Sequence, residues 1–282
     1  MLRAEQYRII YAKHIGCIGG IALKIGLCLT GGGAKGAFEA GIIKRLHENG
    51  ICPEIVTGTS IGAINGYFIM KGCYKELISF WSDIDGKNLD VKIGRTIDNS
   101  PVINYLSELE GDNSDVKNMF VNYVMVENSK LVEEIRDIKR IDKEGALNCV
   151  RYSALLPARP VEGSGEEAIK KFDSSKLFEN FKEDVMAGIY HGYRLDGGIL
   201  NNNLLAPFIK NPVDKLIVIG LKDDYSVPEY IYNYYDKEKV IVIIPDVKIM
   251  PEDTIKFERE YCCSMLERGY RLSEMLVEQL RQ

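Results

Sequence analysis

The sequence predicts an α/β protein in three layers, with a central, mainly parallel sheet covered by helices on both faces. Three observations carry that prediction. A short apolar run, a glycine-rich turn and an apolar helical stretch follow one another twice, at 25–49 and again at 54–70. This order is the grammar of βαβ units, whose parallel strands need a crossover helix. Further on, 216–221 and 240–244 are uninterrupted apolar runs rich in Ile and Val, the pattern of strands buried on both faces. Finally, no internal repeat, low-complexity tract or linker divides the chain. Residues 25–282 are therefore expected to form one domain, preceded by an N-terminal extension, 1–24.

Within the extension, 15–23 is apolar but diluted by Gly and Ala, and it is far too short to span a bilayer. No small-residue cleavage site stands out, so 1–24 reads as an element packed on the domain or an arm rather than a signal peptide. Residues 25–30 read as a buried strand running into a triple glycine. Helix is expected at 34–49, with Phe38, Ile42 and Leu46 on one face and Gly50 placed to end it. The next strand is 54–57 and the next helix 61–70. The stretch 81–118 mixes charges, Gly and Asn and reads as loops and short helices over the site. Residues 130–140 are strongly charged and read as a solvated helix or a helix–strand junction. From 254 to 282 the spacing predicts one long helix, with Asp253 as N-cap and Ile255, Met265, Leu272, Met275 and Leu276 as core contacts.

Composition narrows the function. The chain has 282 residues, 46% hydrophobic and 27% charged, as an ordinary globular protein with a sizeable core would. A net charge of −5 without a basic stripe argues against nucleic acid as a partner. Seven cysteines, an odd number with no Cys-x-x-Cys, point to reduced thiols and a cytoplasmic location. The three histidines, His14, His47 and His191, do not cluster with cysteines, so no metal is expected.

The chemistry concentrates in the glycine-rich turns. Gly58-Thr59-Ser60-Ile61-Gly62 places a serine on a sharp strand-to-helix turn, where small neighbours let strand and helix press close and leave the hydroxyl exposed. As a pentapeptide alone it is equally a turn with an incidental serine. Gly31-Gly32-Gly33-Ala34-Lys35-Gly36 presents bare backbone amides at the start of a helix, suited to an oxyanion. The same residues match the dinucleotide fingerprint Gly-x-Gly-x-x-Gly, with Glu54 downstream as the acid. Glu54, however, precedes its strand, the wrong end for a ribose contact, and that reading leaves Ser60 unexplained. The order of Lys35 and Gly36 rules out a phosphate-binding Walker loop. A third element, Leu195-Asp196-Gly197-Gly198 followed by Asn201-Asn202-Asn203, exposes a carboxylate at a strand end, although an isolated Asp-Gly is most often only a turn.

In this order and these forms, the three motifs resemble those of the patatin-like phospholipase family. That family has a Gly-Gly-Gly-x-Arg/Lys-Gly oxyanion loop, a Gly-x-Ser-x-Gly elbow and an Asp-Gly-Gly or Asp-Gly-Ala. The resemblance is specific at 29–41 and 58–66, good at 196–203 and loose elsewhere. It implies a patatin-like fold and a serine lipid acyl hydrolase acting on a phospholipid or lysophospholipid. Ser60 would be the nucleophile and Asp196 its partner, with the amides of Gly32, Gly33 and Ala34 as the oxyanion hole. Gly31, Lys35, Gly36, Gly58, Gly62, Gly197 and Gly198 would shape the loops. No cofactor is implied, and the membrane would be a surface visited for substrate rather than spanned. A Ser–Asp dyad needs no histidine, but its carboxylate must be desolvated and held close to Ser60 to act as a base. His191 with Asp184 offers a competing Ser–His–Asp arrangement, and His47 a weaker one.

The chain departs from the family in one respect. The family's Ala-Ser-x-x-x-Pro segment lies shortly before the Asp strand, whereas the nearest counterpart here, Ser153-Ala154-Leu155-Leu156-Pro157, stands well upstream, and a charged stretch, 162–186, intervenes. Either an insertion separates the two, or this wall of the pocket is rebuilt, which would leave room for a non-catalytic lipid-binding protein on the same scaffold.

Overall fold

The computed structural model describes residues 17–18, 21–84, 92–163, 167 and 176–281. Residues 1–16, with His14, and 19–20, 85–91, 164–166, 168–175 and 282 lie outside the described residues, so the expectations for most of the N-terminal extension and for parts of 81–118 and 162–186 fall there.

The main sheet is built from β1 (Ile25–Leu29), β2 (Ile55–Gly58), β3 (Asn118–Glu127), β4 (Lys130–Asp137), β5 (Arg194–Asp196), β6 (Lys215–Ile219) and β7 (Val240–Ile243). Their order is β4-β3-β2-β1-β6-β7, with β5 paired to β3. The β3–β2, β2–β1, β1–β6 and β6–β7 pairings are parallel, while β4 and β5 run antiparallel to β3. The sheet is thus mixed and mostly parallel, as expected.

Strand periodicity divides the core into two layers. Leu27, Leu29, Val56, Val121, Ile217 and Ile219 face a thick helical layer. That layer includes α1 (Gly36–Glu48), α2 (Ile61–Lys71), α3 (Tyr74–Asp83), α4 (Ser100–Ser107) and α5 (Lys143–Ser153). Cys28, Ile55, Leu216 and Val218 face a thinner layer that includes Phe208 and Ile231. Phe208 belongs to the short helix Ala206–Lys210, and Ile231 to a 3-10 turn, Glu229–Asn233. Of the expected elements, α1 ends as predicted: Phe38, Ile42 and Leu46 are buried, and Gly50 follows the C-cap Asn49 at φ 69°.

Five expectations are corrected. The charged stretch 130–140 is an edge strand, β4, followed by a 3-10 turn, Ile138–Arg140. An edge strand has one side in solvent, and charge there discourages pairing with other chains. It is joined to β3 by a hairpin through Asn128 and Ser129, both at positive φ. At the opposite edge, β7 is not buried on both faces, since Val242 is exposed. The C-terminal stretch is three elements rather than one: a 3-10 turn (Pro251–Ile255), α6 (Arg259–Leu272) and α7 (Glu274–Arg281). Asp253 lies inside the first of these, where its carboxylate accepts the Met250 N–H at 2.8 Å, and so it caps no long helix. The break at Ser273 also turns Met275 out to solvent, while Met265 and Leu276 are buried as expected.

Candidate active site

Between the end of β2 at Gly58 and the start of α2 at Ile61 the chain turns in two residues. Ser60 carries the turn at φ 56°, ψ −122°, a region that L-residues rarely occupy and that marks stored strain. Its flanking glycines are required sterically. A Cβ on Gly58 would overlap the Gly62 carbonyl, and one on Gly62 would overlap the Leu29 carbonyl at the end of β1. The Ser60 N–H donates to the Ser153 hydroxyl at 3.0 Å.

Sheet register brings the aspartate to this turn. β2 pairs with β3 up to Gly58 opposite Val121, and β5 takes over the same side of β3 with Asp196 opposite Tyr123. The two strands thus meet end to end across Asn122. The Ser60 hydroxyl donates to Asp196 Oδ2 at 2.6 Å, and the Gly198 N–H donates to Oδ1 at 2.8 Å. Asp196 is 3% exposed. Burial pushes its carboxyl up from 3.8 to about 7, against the opposing pull of the Ser60 and Gly198 hydrogen bonds.

The triple glycine lies on the other side of Ser60. Gly31 exchanges two hydrogen bonds with the Asn202 side chain, its N–H donating to Oδ1 at 2.9 Å and its carbonyl accepting from Nδ2 at 3.1 Å. A Cβ on Gly31 would come within 3.0 Å of the Ser60 Cβ, so the loop closes directly on the serine. Gly33–Lys35 forms a 3-10 turn that leads into α1 at Gly36. The first amides of such a turn have no partner within it, which leaves those of Gly32, Gly33 and Ala34 available to an anion. Lys35 is buried, and burial together with the nearby Lys222 holds its ammonium below its ordinary range, while Asp253 acts in the opposite sense. Gly36 permits close packing, since a Cβ there would meet Ile61 at 2.5 Å. Gly197 does so too, since its Cβ would lie 2.5 Å from Asn122 Oδ1.

Beneath the loop, Trp81 Nε1 donates to Asn65 Oδ1 at 2.9 Å, and Asn65 Nδ2 donates to the Gly36 carbonyl and to Glu39 Oε2. Glu39 is fully buried, and desolvation raises its carboxyl well above the usual range. An apolar cavity of about 140 Å³ opens beside Ser60, lined by Ile61, Ile64, Phe80, Val102, Leu156 and Phe257 among others. The 153–157 segment is part of this wall. Ser153 holds the Ser60 amide, the Leu155 carbonyl accepts the Asp196 N–H at 3.0 Å, and Ala154 and Leu156 face the cavity. The segment is therefore in place as part of the wall beside Ser60 and Asp196.

The competing constellations are not assembled. His191 is exposed and its Nδ1 accepts the Asn128 N–H, while Asp184 is bound by the Arg159 guanidinium. His47 stacks on Tyr74. Glu54 pairs with Lys24 at the opposite end of β2 from Ser60. Among the described residues no cluster of His, Cys, Asp and Glu could hold a metal, and no helix is long and apolar enough to cross a membrane. Asn65, Asn122 and the Gly31 contact of Asn202 carried no signal in sequence. Each is a side-chain amide whose partners lie on distant segments.

Fold and site together define an α/β protein of the serine-elbow kind, in which a strained strand–helix turn presents a hydroxyl beside a row of backbone amides. More particularly, the chain belongs to the patatin-like phospholipase family, whose model matches residues 27–209. A 42-residue stretch is 57% identical to lysophospholipase nte1 of Aspergillus terreus, covering 15% of this chain and 3% of that protein. A 73-residue stretch is 44% identical to a patatin-like phospholipase domain-containing protein of Aspergillus niger, covering 26% of this chain and 9% of that one. The chain thus spans a small part of these curated relatives. Among solved structures, the type III effector ExoU of Pseudomonas aeruginosa is similar over 92% of this chain and 53% of its own, with a TM-score of 0.50 and 11% identity, a likeness of fold alone.

Proposed function

We propose that this protein hydrolyses carboxylic esters of lipids, phospholipids or lysophospholipids being the favoured class, through a Ser60–Asp196 dyad. The observation that carries the reading is the 2.6 Å hydrogen bond from a strained serine to a buried carboxylate whose basicity is raised to about 7. A base near the operating pH is the one suited to take a proton in the transition state. The apolar cavity that starts at Ser60 gives an acyl chain a place to lie, and family membership supports lipid as the substrate.

In this mechanism Ser60 Oγ attacks the ester carbonyl carbon as its proton passes to Asp196 Oδ2. The carbonyl oxygen becomes an oxyanion stabilised by the amides of Gly32, Gly33 and Ala34 and by the positive end of α1. The tetrahedral intermediate collapses, the C–O bond to the alcohol breaks, and the alcohol leaves with the proton from Asp196. Water then attacks the acyl-Ser60 carbonyl while Asp196 accepts a proton from it, and the fatty acid departs as Ser60 regains its hydrogen. Gly31, Gly58, Gly62, Gly197 and Gly198 let the three turns approach, and Lys35 and Gly36 shape the amide loop.

The test is release of p-nitrophenol from short- and medium-chain esters, followed by lysophospholipid in mixed micelles. Ser60→Ala and Asp196→Asn are each expected to lower kcat by about 10³-fold or more, while His191→Ala retains wild-type turnover. Turnover that survives Ser60→Ala would refute the mechanism.

A further inference from the structure

Asn122 is fully buried in the middle of a sheet, where an apolar side chain would otherwise be expected. Burying an amide there is costly unless its groups are bonded, and here they are. Oδ1 accepts the Thr59 hydroxyl at 2.8 Å, and Nδ2 donates to Glu133 Oε1 at 2.8 Å and to the Asn201 carbonyl at 2.8 Å. The partners are not arbitrary. Thr59 immediately precedes Ser60. Asn201 closes the turn after Asp196, its N–H donating to the Gly197 carbonyl at 2.9 Å. Glu133, from β4, also accepts the Asn201 side chain at 2.9 Å and so braces the same turn from the sheet edge.

The backbone leads to the same residue. β3 pairs with β2 through Val121 and with β5 from Tyr123, so Asn122 occupies the one position at which two strands arriving from opposite directions abut. A Cβ on Gly197 would lie 2.5 Å from Asn122 Oδ1 and 2.6 Å from its carbonyl oxygen. The Asp-Gly-Gly turn therefore rests on Asn122 as closely as a glycine permits.

We propose that Asn122 is a positioning residue that sets the gap across which Ser60 delivers its proton to Asp196, with Thr59 and the Asn201–Glu133 pair as its two arms. The proposal rests on the reading of Ser60 and Asp196 as the catalytic dyad. Asn122 touches neither substrate nor the reacting atoms. It acts by holding the elbow with one end of its amide and the aspartate turn with the other, and a small displacement between the two is enough to slow the chemistry.

The experiment uses the full chain and p-nitrophenyl butyrate from pH 5 to 9, with kcat expressed per serine titrated by a fluorophosphonate. Asn122→Ala and the milder Thr59→Val are expected to lower kcat by about 10- to 100-fold with KM within about twofold. Their acid limbs should shift to lower pH, because a loosened turn admits water to Asp196. Asn122→Asp keeps the acceptor for Thr59 but sets a carboxylate against Glu133, so it should lose activity. Adding Glu133→Gln, which supplies a donor across that bond, should restore part of it. If Asn122→Ala and Thr59→Val keep the wild-type kcat per titrated serine and the wild-type acid limb, whatever their melting temperatures, the proposal is overturned. Ser60→Ala and Asp196→Asn run alongside. Activity persisting in those two would instead refute the dyad, so the two failures are distinguishable.

Discussion

At the scale of single residues, the site depends on a carboxylate kept where water would not leave it. Asp196 is 3% exposed, and burial moves its pKa from 3.8 to about 7. That shift has two consequences of definite sign. A base must be ionised to accept the Ser60 proton, so kcat/KM should rise with pH as a single acid limb centred near 7 and flatten above it. The limb should be unchanged in His191→Ala, because the exposed His191 is engaged with Asn128. Stability moves the other way. The unfolded chain releases this proton at its ordinary 3.8, whereas the folded chain holds it to about 7. The stabilisation from the neutral acid is therefore complete below the unfolded value and is lost as pH rises through the folded one. Asn does not titrate, and its amide can accept from the Gly198 N–H and donate to the Ser60 hydroxyl as the neutral acid would, so Asp196→Asn removes this pH dependence. The melting temperature of Asp196→Asn relative to wild type should therefore be higher at pH 8 than at pH 5. Scanning calorimetry at the two pH values measures this directly, and an equal difference at both would mean that the carboxyl is not shifted.

At the scale of elements, the triple-glycine loop is seated against a turn from far along the chain. Gly33 is at φ 58°, and a Cβ there would overlap the Thr254 carbonyl in the 3-10 turn Pro251–Ile255. Thr254, Ile255 and Phe257 also line the cavity beside Ser60. Gly33→Ala must therefore both strain the loop and lift the turn from it. A stability loss of about 1–3 kcal/mol is expected, with a fall in kcat larger than that loss would cause by unfolding. Urea titration and titrated-site kinetics separate the two, and wild-type kcat in Gly33→Ala would show the contact to be incidental. The same element level explains what sequence could reveal. The 25–71 region was legible because its glycines answer to local geometry: Gly58 and Gly62 to the elbow, Gly50 to the end of α1. β3 was not legible. It begins at Asn118 and its apolar run is interrupted by Asn122, and the partners of these two, Asp137, Glu133 and Asn201, lie on other elements. β4 reads in sequence as a solvated helix or a helix–strand junction because an edge strand, too, carries charge along its length. The C-terminal pattern was read through Ser273, whose hydroxyl donates to the Tyr270 carbonyl where the helix breaks, since helical periodicity carries no record of such local competition. The meeting of Ser60 with Asp196 was legible only through family resemblance. No spacing rule states that β5 enters the sheet beyond the end of β2.

At the scale of the whole molecule, the family match ends at residue 209, yet the fold does not. β1, which leads into the triple-glycine loop, pairs on one side with β2 and on the other with β6, Leu29 standing opposite Ile219. α1, which leaves that loop, is crossed by α6 so closely that a Cβ on Gly41 would overlap the Leu266 carbonyl and one on Gly269 the Phe38 carbonyl. Arg45 Nε donates to the Tyr270 carbonyl at 3.1 Å, and the Tyr270 hydroxyl donates to Glu48 at 2.7 Å across the same crossing. Removing everything after Lys210 would therefore turn β1 into a bare edge. It would uncover Leu27, Phe38 and Ile42, each now fully or almost fully buried, and remove the Thr254 turn and α6, against which Gly33 and α1 are packed. We accordingly propose that the folding unit runs from residue 25 through 281. A chain ending at Lys210 is expected to show no cooperative thermal transition by circular dichroism and to react with fluorophosphonate no faster than the Ser60→Ala variant. Supplying 211–282 as a separate fragment should restore both signals, because β6 and α6 are added to surfaces that already match them. A truncated chain that melts cooperatively and labels at Ser60 unaided would mean that the residues up to 210 hold the site alone, and the single-unit account would fall.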